Sequence, residues 1–138
     1  MTEIVVDASV FVSLFDRETE NTKLAEKLID LMNQGEILVT CPDLILLELT
    51  NVLVKTKRLE VKDVVKFARI LESMGVEFMQ LLPGDVEEVA KYMKKYSLTA
   101  YDACYLQLAE MSETLLITED KELLKVKRCV TLSQFFAV

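Results

Sequence analysis

Four carboxylates stand where chemistry could use them. Ile4-Val5-Val6 is an apolar strand that runs straight into Asp7, with Ala8 and Ser9 behind it. Leu115-Leu116-Ile117-Thr118 runs in the same way into Glu119-Asp120. Acids at the carboxyl ends of buried strands lie where open α/β sheets build their sites. Glu48 and Asp102 sit instead inside largely apolar helical stretches, where charge is costly unless something holds it. Acids gathered without a cation repel one another, so the grouping predicts a positive ligand, a divalent metal. Hard cations such as Mg²⁺ and Mn²⁺ take oxygen ligands and keep several waters, which suits a carboxylate set.

The composition narrows the chemistry further. The 138 residues contain no histidine, which removes Ser-His-Asp and Cys-His nucleophiles and imidazole zinc sites. Cys41, Cys104 and Cys129 are far apart and lack C-x-x-C spacing, so each reads as a small buried hydrophobe and the compartment as reducing cytoplasm. Hydrophobic residues make up 51% of the chain, enough for one self-standing domain over residues 1–138. The net charge of −7 argues against a broad basic coat for nucleic acid, though not against a local basic rim. Neither a signal peptide nor a membrane span is expected, because Glu3 replaces a basic leader and no apolar run approaches the length of a span.

The elements that must hold these acids alternate between strand and helix. Strands are expected at Glu3–Asp7, Ile37–Thr40, Val76–Leu82 and Leu115–Thr118, with an edge strand at Cys129–Thr131. Helices are expected at Ser9–Phe15, from Thr22 to Gly35, from Pro42-Asp43 to Lys57, at Val61–Met74, from Asp85 to Tyr96, and at Ala100–Met111. A helical turn is expected at Lys121–Leu124, and a last turn capped by Ser133 and packed by Phe135 and Phe136. Asp85 with Glu88 reads as a capping box, and Thr99 as the cap of the helix that carries Asp102. The alternation implies an α/β, three-layer sandwich with a central parallel sheet of four to five strands.

Each acid also has a purely local reading. Asp7 could cap the helix behind it with Ser9, Asp102 could complete a capping box with Thr99, and Asp120 could cap the turn at Lys121. Glu48 could belong to a narrow solvated stripe with Asn51 and Lys55. Against this, Asp7 has dry neighbours, the helix of Glu48 has little polar surface, and Asp102 shares a side with Leu106 and Ala109 while Gln107 and Glu110 take the solvent side. Strand-end position alone does not separate Asp120 from Glu119.

Taken together, Val6-Asp7-Ala8-Ser9, Leu47-Glu48-Leu49-Thr50-Asn51-Val52-Leu53, Tyr101-Asp102-Ala103-Cys104-Tyr105-Leu106-Gln107-Leu108-Ala109 and Ile117-Thr118-Glu119-Asp120-Lys121-Glu122-Leu123 resemble the PIN domains, specifically the short VapC-type toxin nucleases. The resemblance covers almost the whole chain. It implies a Mg²⁺- or Mn²⁺-dependent endoribonuclease, the toxin of a type II toxin–antitoxin pair, often a homodimer and silenced by a cognate antitoxin protein. It implies catalytic and metal roles for Asp7, Glu48, Asp102 and Asp120, support from Ser9, Asn51 and Thr118, and it selects Asp120 over Glu119 through the Thr-x-Asp pattern.

On this reading Asp7, Asp102 and Asp120 hold the metal, Glu48 holds a second ion or orients the attacking water, and Ser9 orients a ligand without acting as nucleophile. Lys91, Lys94, Lys95, Lys121 and Lys125 are candidates for a basic rim, and Tyr101 and Tyr105 are expected in the core. A dehalogenase-type phosphatase would need an acid where Ser9 stands, and a receiver domain would need an acidic pair at the first strand. The remaining alternatives are a PIN-like module that binds RNA or protein without cutting, and a purely structural domain.

Overall fold

The computed structural model describes residues 1–137. Five strands, β1 (Thr2–Val6), β2 (Ile37–Pro42), β3 (Glu77–Met79), β4 (Leu115–Ile117) and β5 (Cys129–Val130), form one sheet in the order β3-β2-β1-β4-β5. Every neighbouring pair is parallel. In β1 the consecutive residues Ile4, Val5 and Val6 are all buried. A strand covered on both faces needs apolar side chains at every position rather than at alternate ones, and that is the helix-covered sheet predicted from the alternation.

The helices are α1 (Ala8–Val12), α2 (Glu20–Asn33), α3 (Ile45–Lys55), α4 (Val61–Ser73), α5 (Val86–Tyr96), α6 (Ala100–Ser112) and α7 (Leu132–Phe136), with 3-10 turns at Ser13–Phe15, Pro83–Asp85 and Leu123–Lys125. α6 packs against β1, β2 and β4, and α5 lies on α6. α2 packs on β2 and carries α7, while α3 packs on both α1 and α4. One hydrophobic core joins sheet and helices, with Phe11, Leu28, Ile45, Leu106 and Leu116 fully enclosed. No helix among the described residues is long and apolar enough to cross a membrane.

The strand order fixes where a ligand can sit. Successive strands step from β1 outward through β2 to β3, then cross over to β4 and β5 on the opposite side. The connections leaving β1 and β4 therefore diverge, which opens a crevice beyond their carboxyl ends. Asp7 follows β1 and Thr118-Glu119-Asp120 follows β4, so the two strand-end acids flank this switch point.

Several local expectations change in the fold. Pro42 ends β2 instead of opening a helix: it pairs with Met79, and the next residue, Asp43, donates its N–H to Met79 O at 2.9 Å. α2 begins two residues before Thr22, because Thr19 caps it and Thr22 reaches back to close the capping box. Asp85 does not form a box with Glu88; it closes the 3-10 turn by accepting from the Leu82 N–H at 2.9 Å. Thr131, not Ser133, caps the last helix.

Two orientations on α6 also differ. Gln107 is buried instead of solvent-facing, because α5 covers that side and Asp85 Oδ1 accepts from its amide at 3.2 Å. Tyr101 is 64% exposed rather than in the core, as it lies in the first turn of α6, ahead of the run Ala103–Ala109 that is buried throughout. Tyr105 is buried as expected, and so are the three cysteines, all of them free thiols.

Candidate active site

Asp7 is held by the two strands that flank the switch point. Its backbone N–H continues the ladder to Ile117 O at 3.1 Å, and its side chain caps α1 by accepting from the Ser9 N–H at 2.8 Å. The Ser9 hydroxyl donates to Asp7 Oδ1, and Thr118 Oγ1 donates to Oδ2 at 2.7 Å. Each hydroxyl accepts in turn from the β4 loop: Ser9 Oγ from the Glu119 N–H and Thr118 Oγ1 from the Asp120 N–H, both at 3.0 Å. The local capping reading of Asp7 is thus correct, and the same carboxylate also accepts from Thr118 across the strand ends. Burial pushes the Asp7 carboxyl above its usual range, the Ser9 and Thr118 bonds oppose that shift, and the Asp120 charge adds to it.

The β4 loop separates its two acids. Glu119 turns away, its Oε1 accepting from the Leu132 N–H of α7 at 3.2 Å. Asp120 Oδ1 accepts from the N–H groups of Glu122 and Leu123, at 2.8 and 3.2 Å, which orients the carboxyl. Asp120 lines the cleft with Asp7, Ala8, Ser9, Val12, Glu48, Val52, Asp102 and Tyr105, and Glu119 is not among the lining residues.

α3 and α6 close the remaining sides. Asp102 sits in the first turn of α6, its N–H bonded to the Thr99 hydroxyl at 3.2 Å, so Thr99 is the cap and the carboxyl is left for the cleft. Burial, and then the charges of Asp120 and Asp7, push the Asp102 carboxyl up to about 6. Glu48 is raised as well, by burial and the Asp7 and Asp102 charges, against the stabilising hydrogen bond of Tyr105. That bond, from Tyr105 Oη to Glu48 Oε1 at 2.6 Å, was not foreseen from sequence. The usable signal was position: Tyr105 stands three residues after Asp102, on the same side of α6.

The cleft of about 340 Å³ therefore gathers Asp7, Glu48, Asp102, Asp120 and Ser9, with Thr118 fully buried directly behind Asp7. Asn51 is not brought in. It is exposed, and Val52, one residue further round α3, takes the cleft position. None of the lining residues is Lys or Arg. Four carboxylates from four elements, of which burial and neighbouring negative charge raise Asp7, Glu48 and Asp102, form a donor set that fits a hard divalent cation. Among the described residues no three of them converge tightly enough to form a preassembled ligand cage.

The basic-rim candidates lie elsewhere. Lys91 is engaged by Glu87 and Glu88 at 3.6 and 3.4 Å, Lys125 by Glu122 at 2.5 Å, and Lys95 lies over the Tyr96 ring. None of the five lines the cleft.

The sequence model of the PIN domain matches residues 4–128. The chain belongs to the PIN-domain family. Among curated PIN relatives, the exonuclease VapC9 of Pyrobaculum aerophilum is 33% identical over 122 residues, spanning 88% of this chain and 84% of that protein. Among solved structures, VapC20 of Mycobacterium tuberculosis, described as a toxin that cleaves the sarcin-ricin loop, superposes with a TM-score of 0.69 at 17% identity, over 88% of this chain and 93% of that one. A toxin–antitoxin complex from Klebsiella pneumoniae gives 0.64 at 17% identity, over 94% and 97%. At such identities the structural likeness is one of fold, and it places this sheet and its helices among the PIN domains.

Proposed function

We propose that the cleft is the site of a Mg²⁺- or Mn²⁺-dependent endoribonuclease, the toxin of a type II toxin–antitoxin pair. The observation that carries this reading is the convergence of Asp7, Glu48, Asp102 and Asp120 on one cleft whose lining includes no basic residue. Repulsion among four acids at that switch point is relieved most directly by a divalent cation, and the relatives' names supply the reaction class. Bound there, such a cation supplies Lewis-acid polarisation of a phosphodiester and a more acidic water.

Asp7, Asp102 and Asp120 are the proposed ligands. Thr118 and Ser9 hold both Asp7 oxygens, so the carboxylate presents one fixed face. Glu48, steadied by Tyr105, orients the attacking water or carries a second ion. Ser9 is a positioning group and not a nucleophile, since no base stands beside it to take its proton.

The proposed partners are RNA, a cognate antitoxin and a second copy of the chain, acting in the cytoplasm. Leu47, Val54, Val61 and Val65 on α3 and α4 are exposed apolar side chains available to a protein partner, and the mass of the purified protein by light scattering tests the dimer. The activity test is cleavage of a circular single-stranded RNA in Mg²⁺ or Mn²⁺, with EDTA and Asp102→Asn as controls. Cutting of the circle that both controls abolish supports the proposal. Degradation of linear RNA alone would instead make the enzyme an exonuclease, as the name of VapC9 says of that protein. No cleavage of either substrate would leave the non-cutting PIN-like module as the better reading.

A further inference from the structure

A cleft with an acidic floor needs positive charge nearby if a polyanion is to approach it. The chain is acidic overall, yet its cations are unevenly spread. Lys55, Lys57, Arg58, Lys62, Lys66 and Arg69 fall within fifteen residues that hold only two acids, Glu60 and Asp63. α4 packs along the Leu46, Leu49, Thr50 and Leu53 side of α3, away from Glu48 and Val52, so Lys66 and Arg69 lie off the cleft. Lys62 is paired with Glu60 at 3.6 Å.

Lys55 is differently placed. It follows Val52 by three residues and Glu48 by seven, which puts it on the cleft-facing stripe of α3, about 10 Å beyond Glu48 along the axis. Arg58 stands at the tip of the turn that follows, with φ of 56°, in the left-handed region. The Lys57 and Leu59 N–H groups on either side of it fold back onto Val52 O and Leu53 O, at 3.0 and 2.9 Å. Lys57 itself is bonded to Asp16, just past the α1 segment that lines the opposite wall through Ala8, Ser9 and Val12. Arg17, exposed, is the next residue after Asp16 in that segment. Lys55, Arg58 and Arg17 form no ion pair among the described residues.

We propose that Lys55, Arg58 and Arg17 form a phosphate-binding end of the cleft, which holds the RNA backbone to one side of the bond that is cut. This rests on the reading of the cleft as a nuclease site and adds the direction in which the strand leaves it: along the carboxyl end of α3, rather than over α5 as Lys91, Lys94 and Lys95 would have it.

The test compares RNA cleavage by wild type, Lys55→Gln/Arg58→Gln and Lys94→Gln/Lys95→Gln between 50 and 200 mM salt, with Mn²⁺ affinity measured in parallel without RNA. Expected for the Lys55/Arg58 variant are a KM raised on the order of tenfold, little change in kcat, unchanged Mn²⁺ affinity, and a salt dependence of log kcat/KM shallower by about 1.4, for two lost contacts to a single strand. The α5 variant should match wild type. The proposal is overturned if the α5 variant shows this pattern instead. It is also overturned if Lys55/Arg58 lowers only Tm, which would assign these cations to the negative end of the α3 dipole. Should wild type cleave no RNA with either metal, the nuclease reading itself has failed and the basic end falls with it.

Discussion

Tyr105 Oη and Glu48 Oε1 lie 2.6 Å apart, and this bond ties α6 to α3 across the cleft. Tyr105 is 1% exposed and its phenol is pushed well above its usual range by burial and by the bond to Glu48 itself, so it stays protonated and donates. Tyr105→Phe keeps the ring and removes only the donor. The expected result is a loss of about 1.5 kcal/mol, the lower end for a bond to a charged group because the cleft admits water. If Glu48 carries a second ion, metal affinity should weaken roughly tenfold, as when the partner of a ligand is removed; if it orients the water, kcat should fall instead. Urea unfolding, Mn²⁺ titration and RNA cleavage read these effects separately; unchanged Mn²⁺ affinity together with unchanged kcat would leave the bond a purely structural one.

Metal should stabilise the fold, and acid removal should do so in its absence. At about 100 times its dissociation constant, Mg²⁺ or Mn²⁺ should add about 2.7 kcal/mol, a rise in Tm of roughly 8 to 10 °C for a chain of this size. Asp102→Asn should be more stable than wild type in EDTA, through relieved repulsion, and should lose the metal response. Thermal scans of both proteins in EDTA and in each metal check this.

Thr118 is the support of Asp7 that the resemblance named and the fold explains. Its hydroxyl donates to Asp7 and accepts from the Asp120 N–H, in a position with no solvent access. Thr118→Val leaves both partners unsatisfied without changing the packed volume much, so about 2 to 3 kcal/mol should be lost. Thr118→Ser retains the hydroxyl and should recover most of it. Chemical denaturation of the two variants separates the bond from the packing.

The strand-end acids were legible because the signal is local: an apolar run that stops at a carboxylate places that carboxylate at the carboxyl end of a buried strand. Asp102 was legible for a similar reason, as its cap and helix face both lie within a few residues. The Tyr105–Glu48 bond joins residues 57 apart in sequence, and no periodicity reports such a contact. Asn51 shows the limit of a helix stripe. A residue three positions from Glu48 and one four positions from it diverge by about 100°, and here the second, Val52, faces the cleft. Leu47, 75% exposed, explains the error, since the apolar sequence of α3 had implied packing on nearly every side. Gln107 failed in the opposite sense, because the partner that buries it, Asp85, comes from another helix entry.

The raised carboxyls fix the sign of a pH dependence. Asp102 moves from 3.8 to about 6 on folding, and Asp7, Glu48 and Glu119 are also raised. An acid with a raised folded pKa binds its proton more tightly in the native state, so the folded chain carries more protons between about pH 4 and 6 than the unfolded one. Stability contributed by the Asp102 proton is therefore complete below about pH 4 and is lost as pH rises through about 6, and the other raised acids act in the same direction. For Asp102 alone this amounts to about 1 to 2 kcal/mol after allowance for solvent screening. Metal binding runs the other way, since it requires ionised carboxylates, and its affinity should rise across the same interval. In EDTA the urea midpoint of wild type should fall from pH 5 to pH 7, and that of Asp102→Asn should fall by less. With saturating Mn²⁺ the wild-type decline should shrink or reverse. Parallel declines for the two proteins in EDTA would exclude Asp102 as the titrating group.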